Sequence, residues 1–265
     1  MKSLRSRYWY PDAFSVRTAT RPTLRCSIRW HFNGRPVSSD VADRVCDALL
    51  EAWNPAEKGA EAIVDALLGT YNPSGRLPVS VAWTAGQIPV YYNHPYGSAW
   101  HQGESIGFPN YVDCPHTPRY PFGHGLSYTE FAYENLRLSA EEVPADGKLA
   151  VAVDIANTGA RDGEEIVQLY VRDRFASVTR PNLELAGFAR VRLRAGERKA
   201  VRFTLDMSQL AFLDRAMAWR VEAGDVDVLV GRSSADLRCE GSFRIAGTRT
   251  LEGRDREFWA QEEIR

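Results

Sequence analysis

A long run of alternating apolar and polar residues fills the second half of the chain and constrains its fold more than any other feature. In several stretches between Phe131 and Ile245, apolar side chains recur at every second position, for example at Val201, Phe203 and Leu205. A period of two is that of a β-strand with one buried face, whereas a helix repeats every 3.6 residues. Turn signals such as Asn157-Thr158-Gly159 separate about seven such strands, which predicts an antiparallel β-sandwich.

Two strands of this region add detail. Residues 166–171 are nearly all apolar, which indicates a strand that is covered on both faces. Arg190, Arg192 and Arg194 alternate with apolar residues, so they form either a basic patch or a solvated strand face. We predict that residues 129–246 form an all-β sandwich of fibronectin type III or immunoglobulin kind, with Trp219 to Val230 forming a hairpin. The charged residues 247–265 are predicted to be a tail.

The preceding part of the chain has helical periodicity. We predict one helix from Asp40, as its N-cap, to about Trp53, and a second from Glu57 to Leu68 that ends at Gly69. Residues 77–81 read as a short strand. These elements predict that residues 32–128 form a partial α/β domain ahead of the sandwich.

An aromatic and glycine-rich stretch, residues 120–131, joins the two parts. Gly123 and Gly125 indicate a positive φ or a close approach of another chain segment. Four large apolar residues fit either a plain hydrophobic linker or a buried seam between two domains: Phe122, Leu126, Tyr128 and Phe131.

Residues 84–119 lack periodicity, and loops of this length are usually functional or disordered. Five of their side chains could stack on a sugar ring or simply pin the loop: Tyr91, Tyr92, His94, Tyr96 and Trp100. Four histidines invite a metal site, but their spacings match no common metal motif: His94, His101, His116 and His124. We therefore predict no metal and no cofactor.

The totals exclude some partners. The net charge is −1, which argues against nucleic acid, and no apolar run approaches the roughly 20 residues that span a bilayer. No apolar segment follows the basic first residues, so no signal peptide is predicted and the compartment stays open. The cysteines, without CxxC spacing, are predicted to be isolated thiols: Cys26, Cys46, Cys114 and Cys239.

Residues 1–31 carry seven lysines and arginines against one acid. They fit either a basic arm for nucleic acid or a solvated tail, and the tail is the simpler interpretation. We predict that residues 1–31 are disordered.

Several ordered runs resemble the C-terminal part of glycoside hydrolase family 3, the β-glucosidase and β-xylosidase type. The runs are Asn33-Gly34-Arg35-Pro36-Val37, Leu50-Glu51-Ala52-Trp53, residues 68–80, residues 86–94, Tyr111-Val112-Asp113 and residues 120–131. Residues 163–170 and 185–188 are similar to the fibronectin type III-like domain that often closes these enzymes.

The resemblance implies retaining hydrolysis of O-glycosyl bonds by two carboxyl groups. In the family the nucleophile lies in an N-terminal barrel, and the acid/base lies upstream of the Asn-Gly-Arg-Pro run. No catalytic residue is therefore expected here, and the isolated chain is expected to be inactive.

The resemblance also suggests that residues 1–31 are foreign to the family, as in a truncated or frame-shifted remnant. A β-glycoside or oligosaccharide is the expected substrate of the complete enzyme, and the apolar helix faces are expected to favour self-association. A non-catalytic carbohydrate-binding or protein-interaction module is the alternative.

Overall fold

The structure is a computed structural model that describes residues 27–95 and 114–265. The chain forms two compact units, which divide between Leu68 and Gly69. No helix of the described residues is long and apolar enough to cross a membrane.

The first unit contains a small parallel sheet. Strand β1 (Ile28–His31) pairs in parallel with β2 (Ala48–Glu51), and helix α1 (Asp40–Val45) connects them. The N-cap of α1 is Ser39, whose hydroxyl accepts a hydrogen bond from the Ala42 amide at 3.2 Å. Asp40, the expected cap, is the first helical residue, where its charge still favours the positive end of the helix.

The predicted helix from Asp40 to Trp53 is wrong in its second half. Its apolar spacing at Val45, Ala48 and Leu49 fits a helix, but the chain leaves the helix after Val45 and continues as β2. The reason is non-local: β1 offers a parallel partner whose backbone groups pair with those of β2. Periodicity within residues 40–53 carries no information about that partner.

Strand β1 also corrects the interpretation of residues 25–31 as foreign. Ile28 to His31 form the strand directly before Asn33 that the resemblance requires, so the prediction of disorder up to residue 31 is wrong for this strand. The Asn33 amide donates to Glu51 at 3.0 Å, which ties the following turn to β2.

Helix α2 (Gly59–Leu68) follows the prediction closely, and the next residue, Gly69, has a φ of +74° that fits the expected C-terminal stop. Ile63 and Ala66 are buried, whereas Val64 and Leu68 are exposed. Apolar side chains of this unit therefore remain in contact with solvent.

The second unit is a β-sandwich, so the predicted fold class is confirmed. Its two main sheets contain five and four strands, and a third, small sheet contains three. The strands of the five-stranded sheet are β4 (Glu142–Pro144), β6 (Gly163–Asp173), β7 (Glu184–Leu193), β11 (Gly224–Ser233) and β12 (Asp236–Ala246). Those of the four-stranded sheet are β3 (Phe131–Leu138), β5 (Lys148–Asn157), β8 (Arg198–Asp206) and β14 (Gln261–Ile264). The small sheet contains β9 (Phe212–Leu213), β10 (Trp219–Val221) and β13 (Arg249–Leu251). The strand orders are β4-β12-β11-β6-β7, β14-β8-β5-β3 and β13-β10-β9.

Alternate residues of the two main sheets meet in one core, where Leu149, Leu169 and Phe203 are fully buried. Residues 166–171 are buried on both faces, as their apolar run predicted. Arg190 and Arg192 lie on the exposed face of β7 and alternate with buried Ala189, Val191 and Leu193.

Two predictions about the sandwich are wrong. Residues 219–230 do not form a hairpin, because β10 pairs with β9 and β13 while β11 pairs with β12 and β6. Residues 247–265 are not a tail: β13 and β14 are paired strands, and Ala260 lies in the core. β14 forms a strand because the edge of β8 offers unpaired backbone groups, and the charged sequence of β14 alone gives no sign of this partner.

Residues 77–81 do not form the predicted strand, although they run beside residues 120–124. The Leu77 amide donates to the His124 carbonyl at 2.9 Å, and the Gly123 amide donates to the Leu77 carbonyl at 2.8 Å. Val81 and Tyr120 form an isolated antiparallel bridge. The two segments thereby support each other without a regular strand.

Candidate functional site

Residues 69–95 and 114–128, here called the cover segment, lie over the outer face of the five-stranded sheet. Tyr92 of this segment stacks on Phe122 with ring centroids 4.3 Å apart and meets Tyr170 of β6 edge-on at 5.9 Å. The hydroxyl of Tyr92 accepts a hydrogen bond from the Leu185 amide at 3.2 Å. Because Tyr92 covers Tyr170, the outer face of β6 is buried as well as its inner face, which explains the apolar residues on both faces.

Tyr170 and Tyr92 are both held as neutral phenols. Burial raises the pKa of Tyr170, and burial, opposed by the bond from the Leu185 backbone, raises that of Tyr92. The Tyr170 hydroxyl donates to Oε1 of Gln168 at 2.6 Å. Apolar and polar contacts therefore fix the same surface.

A buried carboxylate ties the cover segment to the end of the sandwich. Glu165 is fully buried and lies 2.6 Å from the guanidinium of Arg76, which belongs to the cover segment. Arg232 approaches the same carboxylate at 3.4 Å, and the Tyr133 hydroxyl donates to it at 2.7 Å. Burial and the Glu165 charge hold the pKa of Tyr133 well above its usual value. Glu165 is thus fully engaged in structural contacts and inaccessible to a substrate.

Gly123 and Gly125 have the two properties that were predicted for them. Gly123 has a φ of +81°, and a Cβ there would lie 2.1 Å from Oε1 of Gln168. A Cβ on Gly125 would lie 2.3 Å from the carbonyl oxygen of Gly75. Both glycines let the backbone approach where a side chain would collide.

Polar side chains of the cover segment complete its attachment. Oδ1 of Asn72 accepts from the Ser127 hydroxyl at 3.0 Å and the Tyr128 amide at 2.8 Å, and its Nδ2 donates to the Asp162 carbonyl at 3.0 Å. Arg190 of β7 donates to the Ser74 hydroxyl at 2.7 Å. One arginine of the predicted basic row therefore has a structural partner.

Gln87 organises the middle of the cover segment and was missed by sequence reasoning. It is buried, accepts from the Trp83 amide at 2.8 Å, and donates to the carbonyls of Pro115 and Thr117 at 2.8 and 2.9 Å. A polar residue in an irregular segment gives no periodic signal of burial. Only its run within the family resemblance, residues 86–94, marked this position.

The seam prediction is half right. Phe122 and Phe131 are buried or packed against the two hydrophobic clusters, as expected. Leu126 and Tyr128 are exposed, which contradicts their placement in the seam. The guanidinium of Arg161 lies 5.6 Å above the ring of Tyr128.

The aromatic residues that could stack on a sugar separate in the structure. Tyr92 is covered by Phe122 and Tyr170, so it pins the segment, whereas Tyr91 is exposed. Tyr96 and Trp100 lie outside the described residues.

The histidines are not brought together. His94 shares a hydrogen bond of 2.9 Å with the Asn182 amide, while His124 stacks on Tyr120 with centroids 5.7 Å apart. His101 lies outside the described residues, and no group of three or more potential metal ligands occurs among those that the structure describes. Burial, with the charges of Arg76 and Arg232, lowers the pKa of His124.

Comparison with known proteins identifies two domains in the chain. Residues 25–128 match the glycosyl hydrolase family 3 C-terminal domain, and residues 165–234 match the fibronectin type III-like domain. A periplasmic β-glucosidase of Salmonella typhimurium is 40% identical over 233 residues, which are 86% of this chain and 30% of that protein. A thermostable β-glucosidase B of Acetivibrio thermocellus is 37% identical and is matched over 29% of its length. The chain thus spans about 30% of the length of these relatives.

Solved structures give the same result. A β-glucosidase of Listeria innocua, crystallised in complex with glucose, superposes with a TM-score of 0.79 at 37% identity, over 84% of this chain and 31% of that one. A β-glucosidase of Erythrobacter marinus superposes with a TM-score of 0.76 at 37% identity, over 83% of this chain and 28% of that one. The two matched domains follow each other in the order that the sequence predicted. The chain therefore belongs to glycoside hydrolase family 3. It corresponds to the C-terminal part of these enzymes and includes the fibronectin type III-like domain.

Proposed function

We propose that this chain is the C-terminal part of an enzyme that hydrolyses O-glycosyl bonds in β-glycosides. The observation that carries the proposal is the 40% identity with a β-glucosidase over 86% of the chain. Relatives described as β-xylosidases, one 37% identical, support the broader class of β-glycosides rather than one sugar. In this enzyme the sandwich holds the cover segment in shape through the Arg76–Glu165 pair.

The isolated 265 residues should not hydrolyse glycosides. Retaining hydrolysis needs two carboxyl groups that act as nucleophile and acid/base, and the resemblance assigns both to parts of the family that this chain does not match. Purified chain is therefore expected to release no aryl group from aryl β-glucosides or β-xylosides above background. Turnover that disappears when one acid of the chain is replaced would contradict this.

A chimera tests the proposed activity directly. Residues 27–265 replace the corresponding C-terminal third of the Listeria innocua β-glucosidase, and the product is assayed with an aryl β-glucoside. We expect turnover, and we expect Glu165→Gln in the chimera to reduce it, because Arg76 loses its partner. Glu134→Gln, which alters an exposed pair with Arg198, is the matched control and should leave turnover unchanged. A folded chimera without turnover would contradict the proposal.

We also propose that the full chain self-associates through the exposed apolar side chains of its first unit. Val41, Val45 and Val64 are exposed there, and exposed apolar surface promotes association. Analytical ultracentrifugation should show a concentration-dependent mass that falls in a Val41→Lys, Val64→Lys variant. A monomer at all concentrations would exclude this association.

A further inference from the structure

Three aromatic side chains of β7 and of the segment before β14 are exposed to solvent. Phe188 of β7 is 52% exposed, and Phe258 and Trp259, which precede β14, are 68% and 54% exposed. We call Phe188 and Trp259 the aromatic ledge, because the Phe258 ring lies instead beside the guanidinium of Arg256, at 5.6 Å. The rings of Phe188 and Trp259 are 6.0 Å apart and stand at 82° to each other, so they form an L-shaped surface.

The backbone beneath the aromatic ledge is firmly held. The Ala260 amide donates to the Ala186 carbonyl at 2.8 Å, and Ala260 itself is buried. Nε2 of Gln209 donates to the carbonyls of Ala186 and Phe258 at 2.5 and 3.1 Å. Exposed rings on a fixed backbone can bind a ligand without first losing much conformational freedom.

The size of the aromatic ledge favours a small ligand over a protein. A large aromatic side chain buries about 150–250 Å² when it is fully covered, so two half-exposed rings offer roughly 200 Å². A stable protein partner needs about 800 Å² on each side. The ledge is therefore too small for a stable protein interface of its own.

Hydrogen-bond donors continue from the aromatic ledge along the same strand. Residues 188, 190 and 192 alternate with buried residues, so Arg190 and Arg192 share the exposed face of β7 with Phe188. Residues two apart on a strand are about 7 Å from each other. Arg190 donates to Glu164 at 2.8 Å and to the Ser74 hydroxyl at 2.7 Å, and Arg192 is exposed further along the same strand face.

We propose that the aromatic ledge binds a β-linked oligosaccharide. β-linked glucose and xylose units carry equatorial hydroxyls and axial C–H bonds, so each ring has an apolar face that can lie on an aromatic side chain and a polar rim that arginine can bind. The ligand class rests on the proposed function, whereas the surface itself does not. Binding here needs no hydrolysis, so the two proposals can fail separately.

Native gel electrophoresis of the full chain in gels that contain soluble β-glucan or xylan tests this site. We expect at least one polysaccharide to retard the chain, and Trp259→Ala and Phe188→Ala each to weaken binding by about tenfold, the upper range for one aromatic contact. Phe175→Ala is the matched control, because Phe175 is 85% exposed but lies in the loop after β6. It should bind like the original chain.

A Gln209→Leu variant separates the rings from their support. Binding should weaken although both rings are present, because the backbone at Phe258, directly before Trp259, loses its donor. Thermal unfolding of every variant checks the fold. Lack of retardation of the original chain in all gels, or equal retardation of a folded Phe188→Ala, Trp259→Ala double variant, would overturn the proposal.

Discussion

Residues 27–68 and residues 69–265 differ in how much of their apolar surface is buried. In the first region, a two-stranded parallel sheet and two helices bury Ala42, Ile63 and Ala66 but leave Val41 and Val64 exposed. In the second, both main sheets share one continuous core, and a further apolar cluster lies around Tyr170 on the outer face.

The difference shows what each type of sheet requires. Parallel strands are stable when both faces are covered, and a sheet of two strands is marginal in water. The two antiparallel sheets cover each other's inner faces, and the cover segment covers the outer face of β6.

The largest expected effect comes from removing the cover segment. A fragment of residues 129–265 should be less stable than one of residues 69–265 by about 5 kcal/mol, because Tyr170, Leu183 and Leu229 lose their cover at about 1.5–3 kcal/mol each. A fragment that ends at residue 246 should be less stable again, since Ala260 and β14 are missing. Urea unfolding followed by fluorescence measures both differences. Equal midpoints would show that the cover segment contributes nothing to the sandwich.

Removing the buried carboxylate should have the next largest effect. Glu165→Gln leaves Arg76 and Arg232 without their buried partner and should lower the free energy of unfolding by about 3–5 kcal/mol. Glu134→Gln, which removes one member of an exposed pair with Arg198, should cost at most about 1 kcal/mol. Urea unfolding of the two variants measures the contrast. A similar small loss in both would mean that the buried pair adds no stability.

Limited proteolysis should distinguish the two regions by at least about tenfold in cleavage rate, which corresponds to about 1.4 kcal/mol in opening free energy. We expect early cuts within residues 27–68 and late cuts in residues 69–95, which Tyr92 and Arg76 attach to the sandwich. Mass spectrometry of the fragments locates the cuts. Equal protection of residues 27–68 would show that this region has a core of its own.

The smallest expected effect is a pH dependence caused by His124. An unfolded histidine binds its proton near pH 6.5, whereas burial and the charges of Arg76 and Arg232 lower the pKa of folded His124, against the opposing charge of Asp236. The unfolded state then binds more protons just below pH 6.5, so stability should fall as the pH drops below that value. The lowered carboxyl pKa values of Asp154 and Asp206 act in the more acidic range below 3.8.

Urea unfolding of the original chain and of a His124→Gln variant at several pH values measures this dependence. A range of about pH 5 to 8 covers the titration of an ordinary histidine. The variant should lose less stability on acidification. An identical pH profile in the original chain and the variant would assign the effect to other groups.

Sequence alone was sufficient for the sandwich and for two special backbone positions. Alternation in Val201, Phe203 and Leu205 predicted which side chains enter the core, since a strand puts every second residue on one face. The apolar run of β6 predicted a second covered face, and Gly123 predicted a positive φ. Each of these signals lies within a few consecutive residues.

The contacts between distant segments were decided only by the tertiary structure. Arg76 and Glu165 lie 89 positions apart, and neither residue type predicts burial. Residues 48–51 fit a helix until β1 supplies a parallel partner, and residues 261–264 read as a tail until β8 supplies an open edge. A sequence pattern specifies which face a residue prefers, whereas its partner depends on which surfaces folding brings together.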